Sequence, residues 1–309
     1  MTKYLKVLVH LESAFNDTIK HGSLELKISE KVIDMNQHGN RVQSAVIKHC
    51  PIGFKWIKEG DRIWFHHNIT TGHRNRLSVG EGNITSNNYL VDEEKGLYLV
   101  PYGEGSEIGY ECLAYLVKDG DSGEFHTIND FLFGVPNAEY TKSHTDSGIF
   151  VGTQKDKGLD IEAVIKYSNS EVDKVGIPKD KVVGLVKHAN YCMEVEGETV
   201  WRFRTKDIVY TRDGDDFTPM LNWVMLKFEQ PKDMTDGGIM IHESFKKFDR
   251  LGTIEKFGST CNESSVGDEV VILKESDMYR IYDNIFITRE SNLVSQNLLS
   301  GIKKWQLQA

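Results

Sequence analysis

The sequence predicts an all-β protein built from three small β-barrels in tandem. Short apolar-alternating runs recur along the chain, and Gly-Asp turns stand directly before several of them. The same order of first strand, polar loop, strand, turn and strand is met three times. Alternating runs bounded by Gly, Asn and Asp are typical of antiparallel strands. A chain of 309 residues is also too long for one small barrel and suits two or three domains.

The first module is predicted over residues 1–122. Its first strand lies within residues 3–12, and the turn Gly60-Asp61 opens a strand that ends near Phe65. Residues 74–88 are rich in Gly, Asn and Ser, so an inserted loop is predicted there. Two apolar runs, at 96–102 and 112–117, complete the module.

The second module is predicted over residues 123–216. It begins with an apolar run at 130–135, and its polar loop ends in Ser147-Gly148-Ile149-Phe150-Val151. Lys179 stands where the other modules have Gly before Asp. The turn is therefore predicted to lack a residue that adopts a positive φ easily.

The third module is predicted over residues 217–291. An alternating run at 223–228 leads into a loop that ends in Gly237-Gly238-Ile239-Met240-Ile241, and Gly267-Asp268 opens a later strand. Residues 292–309 are predicted to be a C-terminal tail packed on its own domain. A short amphipathic helix, or a strand added to the edge of a neighbour, is the alternative for this tail.

Composition excludes several classes of function. The formal net charge is −9, so no broad cationic surface is expected for nucleic acid or anionic lipid. The four cysteines are far apart and form no CxxC pair, which argues against a zinc knuckle or a disulfide framework. No run approaches the roughly 18 apolar residues of a membrane span. A cytoplasmic protein with reduced thiols is expected, without nucleic-acid or membrane partners.

Motifs that carry catalysis are absent from the sequence. There is no Gly-x-Ser-x-Gly elbow, no phosphate-binding Gly-rich loop with Lys-Ser/Thr, and no His-Glu-x-x-His. His66, His67 and His73 are near one another, but adjacent residues of a strand point to opposite faces. The sequence therefore predicts a non-enzyme with no cofactor and no metal site.

The order of parts resembles the chaperonin-10 (GroES) family. The features that match are the first strand, the long loop ending in Gly-Gly-Ile followed by apolar residues, the Val-Gly-Asp-x-Val turn and strand, and the closing aromatic strand. All of them occur in order within the third module. The resemblance implies three GroES-like β-barrels and, because members of that family are not enzymes, a non-catalytic role.

The resemblance also implies a partner. In that family, an apolar tripeptide of the long loop docks on a chaperonin-60 ring as the loop becomes ordered. The equivalent residues here are Ile149, Phe150 and Val151 in the second module, and Ile239, Met240 and Ile241 in the third. In the first module they are Leu24-Glu25-Leu26. The central charge of that tripeptide predicts weaker docking by the first loop.

Two functions remain open at this stage. The first is a co-chaperonin that caps a chaperonin-60 ring and assists protein folding, encoded by a phage or a bacterium. The second is a structural subunit of a virion or another ring assembly that uses the barrels as spacers. Three modules per chain do not divide evenly into a sevenfold ring, and this favours the structural role. Either role predicts a homo-oligomer.

Overall fold

The computed structural model of the protein describes most of the chain, and the statements below concern that part. The described residues are 6–14, 18–21, 24–27, 41–50, 57–70, 73–74, 84–85, 87–102, 112–137, 141–144, 150–154, 159, 161–168, 177–229, 251–273 and 278–295. They form β-strands and short 3-10 helices, with no α-helix among them. For the described residues, the prediction of an all-β chain is confirmed.

The strands follow one another along the whole described chain. They are β1 (Lys6–His10), β2 (Thr18–His21), β3 (Leu24–Lys27), β4 (Ser44–His49), β5 (Arg62–Phe65), β6 (His73–Arg74), β7 (Ile84–Thr85), β8 (Leu90–Asp92), β9 (Leu97–Pro101), β10 (Ala114–Lys118), β11 (Phe125–Thr127), β12 (Phe131–Pro136), β13 (Thr141–His144), β14 (Phe150–Gln154), β15 (Glu162–Tyr167), β16 (Val182–Leu185), β17 (Tyr191–Val195), β18 (Glu198–Arg204), β19 (Ile208–Asp213), β20 (Asp216–Pro219), β21 (Trp223–Lys227), β22 (Leu251–Phe257), β23 (Glu269–Ile272), β24 (Tyr279–Tyr282), β25 (Ile285–Arg289) and β26 (Leu293–Ser295). The 3-10 helices are His67–Ile69, Thr205–Asp207 and Glu290–Asn292.

Three large antiparallel sheets share one strand order. The orders are β8-β9-β1-β4-β5-β10-β11 in the first sheet, β17-β18-β12-β15-β16-β19-β20 in the second and β24-β25-β21-β22-β23-β26 in the third. When the strands of each sheet are lettered a to g along the chain, every sheet reads d-e-a-b-c-f, followed by g in the first two. The described pairings close none of the three sheets into a barrel. We call the sheets, with their connections, modules 1, 2 and 3.

The sheets end a few residues after the divisions predicted from the sequence. The last strand of the first sheet reaches Thr127, and the second sheet begins at Phe131. The third sheet includes Leu293–Ser295, which pairs with β23 of the same sheet. This short strand lies inside the predicted tail, on its own module. The predicted inserted loop includes the short pair β6–β7.

The backbone hydrogen bonds repeat from module to module. In each sheet, the backbone N–H of the residue after strand c donates a hydrogen bond to the carbonyl of the residue before strand f. These bonds join His66 to Leu113 at 2.9 Å, Val186 to Asp207 at 2.9 Å and Leu273 to Asn292 at 2.8 Å. A register shift also recurs where strand a meets strand b, between Leu8/Val9 and between Met225/Leu226. Because bulges are specific local features, this repetition adds a detailed likeness of modules 1 and 3 to the strand order and hydrogen bonds that all three modules share.

The turn between strands b and c corrects one prediction. In each module, one backbone amide of this turn donates a hydrogen bond of 2.9 Å to the carbonyl of a core isoleucine. The donor and acceptor are Gly60 and Ile47, Asp180 and Ile165, and Gly267 and Ile254. Asp180, rather than Lys179, therefore occupies the glycine position. Its φ of 67° matches the 95° of Gly60 and the 92° of Gly267 in sign. The expectation that this turn lacks a residue at positive φ was wrong, since Asp tolerates the left-handed region better than most side chains.

The chain divides into two compact units, and the division passes through the second sheet. The first unit comprises Met1–Phe133, Tyr167–Val175 and Cys192–Arg202. The second unit comprises Gly134–Lys166, Gly176–Tyr191 and Phe203–Ala309. Each unit contains one of the two places where consecutive modules pack together, and each is described by itself below.

In the first unit, module 1 packs on module 2 through aromatic and cationic side chains. The Trp64 indole N–H donates to the Glu194 carbonyl at 3.2 Å. The Arg202 guanidinium lies 4.5 Å from the centre of the Tyr115 ring and 5.0 Å from that of Phe131. Stacking of Phe125 on Tyr167 extends the contact. We call this contact the first junction.

In the second unit, module 2 packs on module 3 through a buried apolar cluster, the second junction. Module 2 supplies Tyr210 and Phe217, and Trp223 begins the first strand of module 3. Arg289 lies 4.6 Å from the centre of the Trp223 ring, so an arginine covers the first aromatic residue of the following module at both junctions. The other buried members are Leu159, Val209, Met225, Ile281, Ile285 and Ile287.

The linkers at the two junctions are also copies of each other. Asn129 and Leu221 both adopt a positive φ, 53° and 50°. The next strand then starts with the same hydrogen bond across a turn. The Phe131 N–H donates to the Ile128 carbonyl, and the Trp223 N–H donates to the Met220 carbonyl. The two linkers therefore share one local backbone geometry.

Candidate partner-binding hairpins

The loops predicted to bind a partner lie at one place in the module, between strands a and b. In module 1 this connection contains the hairpin β2–β3, and in module 2 it contains β13–β14. Each hairpin is a separate two-stranded sheet that pairs with none of the three large sheets in the described structure. In module 3 the corresponding connection is residues 230–250, which lie outside the described residues together with Ile239, Met240 and Ile241.

The module 2 hairpin contains two of the three predicted docking residues. Its register pairs Thr141 with Gln154 and His144 with Phe150, and it shifts between Ser143 and His144. The shift leaves Val151 without a partner position on β13, so the backbone is irregular at the predicted docking motif. Ile149 lies outside the described residues. A bulge of this kind redirects a strand locally.

The module 1 hairpin is regular. Its register pairs His21 with Leu24, Lys20 with Glu25 and Ile19 with Leu26. The two strands are separated only by Gly22-Ser23, a Gly-X pair of the kind that two-residue hairpin connections favour.

The hairpin register changes the interpretation of the charged residue in the first loop. Alternate positions of a strand belong to opposite faces of a ribbon, so position 25 is not on the face shared by positions 24 and 26. Glu25 is exposed, and the backbone register places position 20 opposite it. The central charge therefore does not by itself exclude docking through the other face of β3.

The histidines near strand c of module 1 are arranged differently from the sequence expectation. Strand β5 ends at Phe65, so His66 and His67 do not alternate on a strand; their rings stack, with centres 4.2 Å apart. The His66 Nδ1 accepts a hydrogen bond from the Asn68 amide at 3.1 Å, which caps the short helix His67–Ile69. No group of metal-binding side chains occurs among the described residues.

A buried polar network in module 2 was not singled out from the sequence. Glu162 is fully buried and receives hydrogen bonds from Arg212 at 2.9 Å, Tyr210 at 2.6 Å and Asn137 at 3.1 Å. Burial, together with the nearby Glu162 carboxylate, raises the pKa of Tyr210 far above its ordinary value. The available signal was a charged residue inside the apolar run at 161–165. Because the carboxylate is well paired and remote from solvent, the network is structural.

Comparison with known proteins does not identify a family for this chain. No protein-family model matches the sequence, and no curated protein matches it significantly. In the part of the chain that the structure describes, no helix is long and apolar enough to cross a membrane.

Proposed function

We propose that this protein is a non-enzymatic, co-chaperonin-like subunit of GroES-like modules that docks on a chaperonin-60 ring through the loops between strands a and b. The observation that carries the proposal is the position of the hairpins. Two modules place a separate two-stranded ribbon at the same point of the same topology. In the third module, the motif Gly238-Ile239-Met240-Ile241 belongs to the connection between the same two strands, a and b.

Docking by such a loop combines two physical effects. A ribbon outside the large sheets presents backbone N–H and C=O groups that a groove or a strand edge on the partner can bind. A few apolar residues, here Ile149, Phe150 and Val151, then supply buried surface, while the ordering of the loop opposes binding. The resulting affinity per loop is modest. Several loops acting on one ring would compensate through multivalency.

A structural subunit of a virion or another ring assembly is the second candidate. The two junctions favour it, because consecutive modules pack together at each of them and repeated packing of this kind suits an extended assembly. In that case the hairpins would bind other subunits of the same assembly. Both candidates make the protein a non-catalytic binding module, located in the cytoplasm or in a virion.

Capture of chaperonin-60 distinguishes the two candidates. The immobilised wild-type chain is expected to retain chaperonin-60 when ATP or ADP is present, because lids of this kind bind the nucleotide-loaded ring. The double variant Ile149→Ser/Ile239→Ser is expected to lower retention at least about tenfold, since each loop loses a buried apolar contact of about 1–2 kcal/mol. The control Val266→Ser alters an exposed residue of a b–c turn and is expected to leave retention unchanged. Absence of capture by the wild-type chain would reject the co-chaperonin role.

A further inference from the structure

The third large sheet differs from the other two at its last edge. In the described part of the chain, the first sheet ends with strand g, β11, and the second ends with strand g, β20, whereas the third ends at strand f, β26. Residues 296–309 follow β26 directly and lie outside the described residues. Within the described residues, the outer backbone edge of β26 therefore has no neighbouring strand.

The outer face of the third sheet is apolar up to this edge. Val271 pairs with Leu251 on one side and with Val294 of β26 on the other, so the three residues form one row across strands b, c and f. Leu273 belongs to the same face, because alternate positions of a strand share a face. Leu251 is 37% exposed and Leu273 is 54% exposed, while both valines are half-buried.

Strand g has a phenylalanine at one fixed register position in modules 1 and 2. The first residue of strand c pairs with Lys118 in module 1 and with Arg212 in module 2. On the other side of strand f, Lys118 pairs with Phe125 and Arg212 pairs with Phe217. The aromatic residue of strand g therefore has the same place relative to strands c and f in both modules.

Each of these phenylalanines contacts another ring of its own module. The centre of the Phe125 ring lies 5.8 Å from that of Trp64, and the centre of the Phe217 ring lies 5.0 Å from that of Tyr210. Trp64 is the third residue of its strand c, and Tyr210 is the strand f residue that pairs with the third residue of strand c. One row of strands c and f thus supplies the ring that strand g covers.

Module 3 has small side chains in this row. Val271 is the third residue of its strand c, and it pairs with Val294 of strand f. Two valines occupy less volume than the tryptophan or the tyrosine of the other modules, so they leave space for a larger ring from strand g. The sequence after β26 contains such a ring in the segment Lys304-Trp305-Gln306-Leu307-Gln308, whose polar and apolar residues alternate as in a half-buried strand.

The spacing within residues 296–309 places Trp305 at the position of that phenylalanine. The register between β23 and β26, continued by one residue, would put Gln296 opposite Glu269, the first residue of strand c. Ser300-Gly301 is a dipeptide typical of turns. A two-residue turn there would pair Gln296 with Trp305, and two positions further along it would bring Leu307 to the edge of the apolar row.

We propose that residues 302–308 form strand g of module 3 by pairing with an extended β26, with Trp305 covering Val271 and Val294. The pairing uses the open backbone edge, and the alternation directs Lys304 and Gln306 away from the apolar row. The segment then protects an apolar edge that would otherwise be free to pair with other chains. This proposal does not depend on what the hairpins bind, so its failure and the failure of chaperonin-60 capture are separate results.

Hydrogen exchange of the whole chain tests the presence of this strand. The amides of residues 302–308 are expected to exchange at least about tenfold more slowly than those of an unstructured peptide. Trp305→Lys is expected to remove this slowing, because an ammonium group cannot cover the two valines without loss of its hydration. Gln306→Lys makes the same change at the neighbouring position, on the other face, and is the matched control that should keep the slowing. Unchanged exchange of β21 and β25 shows that module 3 is folded.

Fast exchange of residues 302–308 in the wild-type chain would overturn the proposal. The same exchange in the two variants would also overturn it, since a covering role for the tryptophan requires them to differ.

A pair of cysteines tests the register and the partner. Ser295 is exposed, and the proposed register puts Gln306 opposite it. Mild oxidation of Ser295→Cys/Gln306→Cys is expected to form an intramolecular disulfide, identified by peptide mass mapping. The control Ser295→Cys/Lys304→Cys joins diagonal positions about 7–8 Å apart and is expected to form at least about fivefold less disulfide. Equal yields would contradict the register, and disulfide-linked dimers would overturn the proposal by showing that the segment pairs with a second copy of the chain.

Discussion

Replacing Glu162 with Ala is expected to destabilise module 2 by about 3–5 kcal/mol, the usual cost of breaking a buried ion pair from one side. The Arg212 side chain is only 10% exposed and would lose its partner carboxylate. The Tyr210 hydroxyl and the Asn137 amide would lose an acceptor at the same time. The cost comes mainly from removing the buried carboxylate that balances the charge of a largely buried guanidinium.

Urea unfolding of the variants measures this effect. Glu162→Gln keeps the volume and one acceptor oxygen, so its loss of stability is expected to be smaller than that of Glu162→Ala. Glu59→Ala removes an exposed carboxylate that pairs with His49 across the surface and serves as the control, with little change expected. A Glu162→Ala chain as stable as the control would show that the network does not hold the module together.

Replacing Gly184 with Ala is expected to cost about 1–3 kcal/mol through overpacking. A Cβ built on Gly184 would lie 2.3 Å from the ζ carbon of the Tyr210 ring. That ring cannot withdraw easily, because its hydroxyl accepts from the Leu159 amide at 2.7 Å and donates to Glu162. At the equivalent cross-strand pair of module 1, the large side chain is on strand c, where Trp64 stands opposite Leu116.

A double-mutant cycle separates the steric effect from general strand propensity. In a Tyr210→Leu background, which imitates the pair of module 1, the cost of Gly184→Ala is expected to fall by at least about 1 kcal/mol. The free energy of unfolding of all four chains gives the coupling. Additive costs would mean that the ring does not explain the glycine at this position.

The sequence was sufficient to predict the β-class and the threefold repeat, because period-two alternation and turn residues are local signals. It also placed the loops between the first and second strands of each module. Gly60-Asp61 and Gly267-Asp268 marked their turns correctly. In module 2 the sequence pattern placed Lys179, instead of Asp180, at the glycine position. The hydrogen bond and the positive φ that identify Asp180 are visible only in the folded backbone.

Features that depend on distant contacts could not be predicted in this way. The register shifts at Leu8 and Met225 appear only when strands pair. Tyr210 and Glu162 are 48 positions apart in the chain, so their hydrogen bond leaves no local pattern. The surfaces buried at the two junctions have a weak signal in the sequence. Strand a is apolar on both faces in modules 2 and 3, but it alternates between apolar and polar residues in module 1. This difference can be recognised only after the three modules are aligned.

Hydrogen exchange of the loops in the presence of chaperonin-60 and nucleotide is the most direct test of the central claim, that the loops between strands a and b bind a chaperonin ring. The amides of residues 141–154 and 230–250 are expected to exchange at least about tenfold more slowly in the complex, because ordered docking adds backbone hydrogen bonds. The c–d turn of module 2, residues 187–190, is an internal reference that should not change. Equal exchange of both loops with and without the ring would contradict the proposed function.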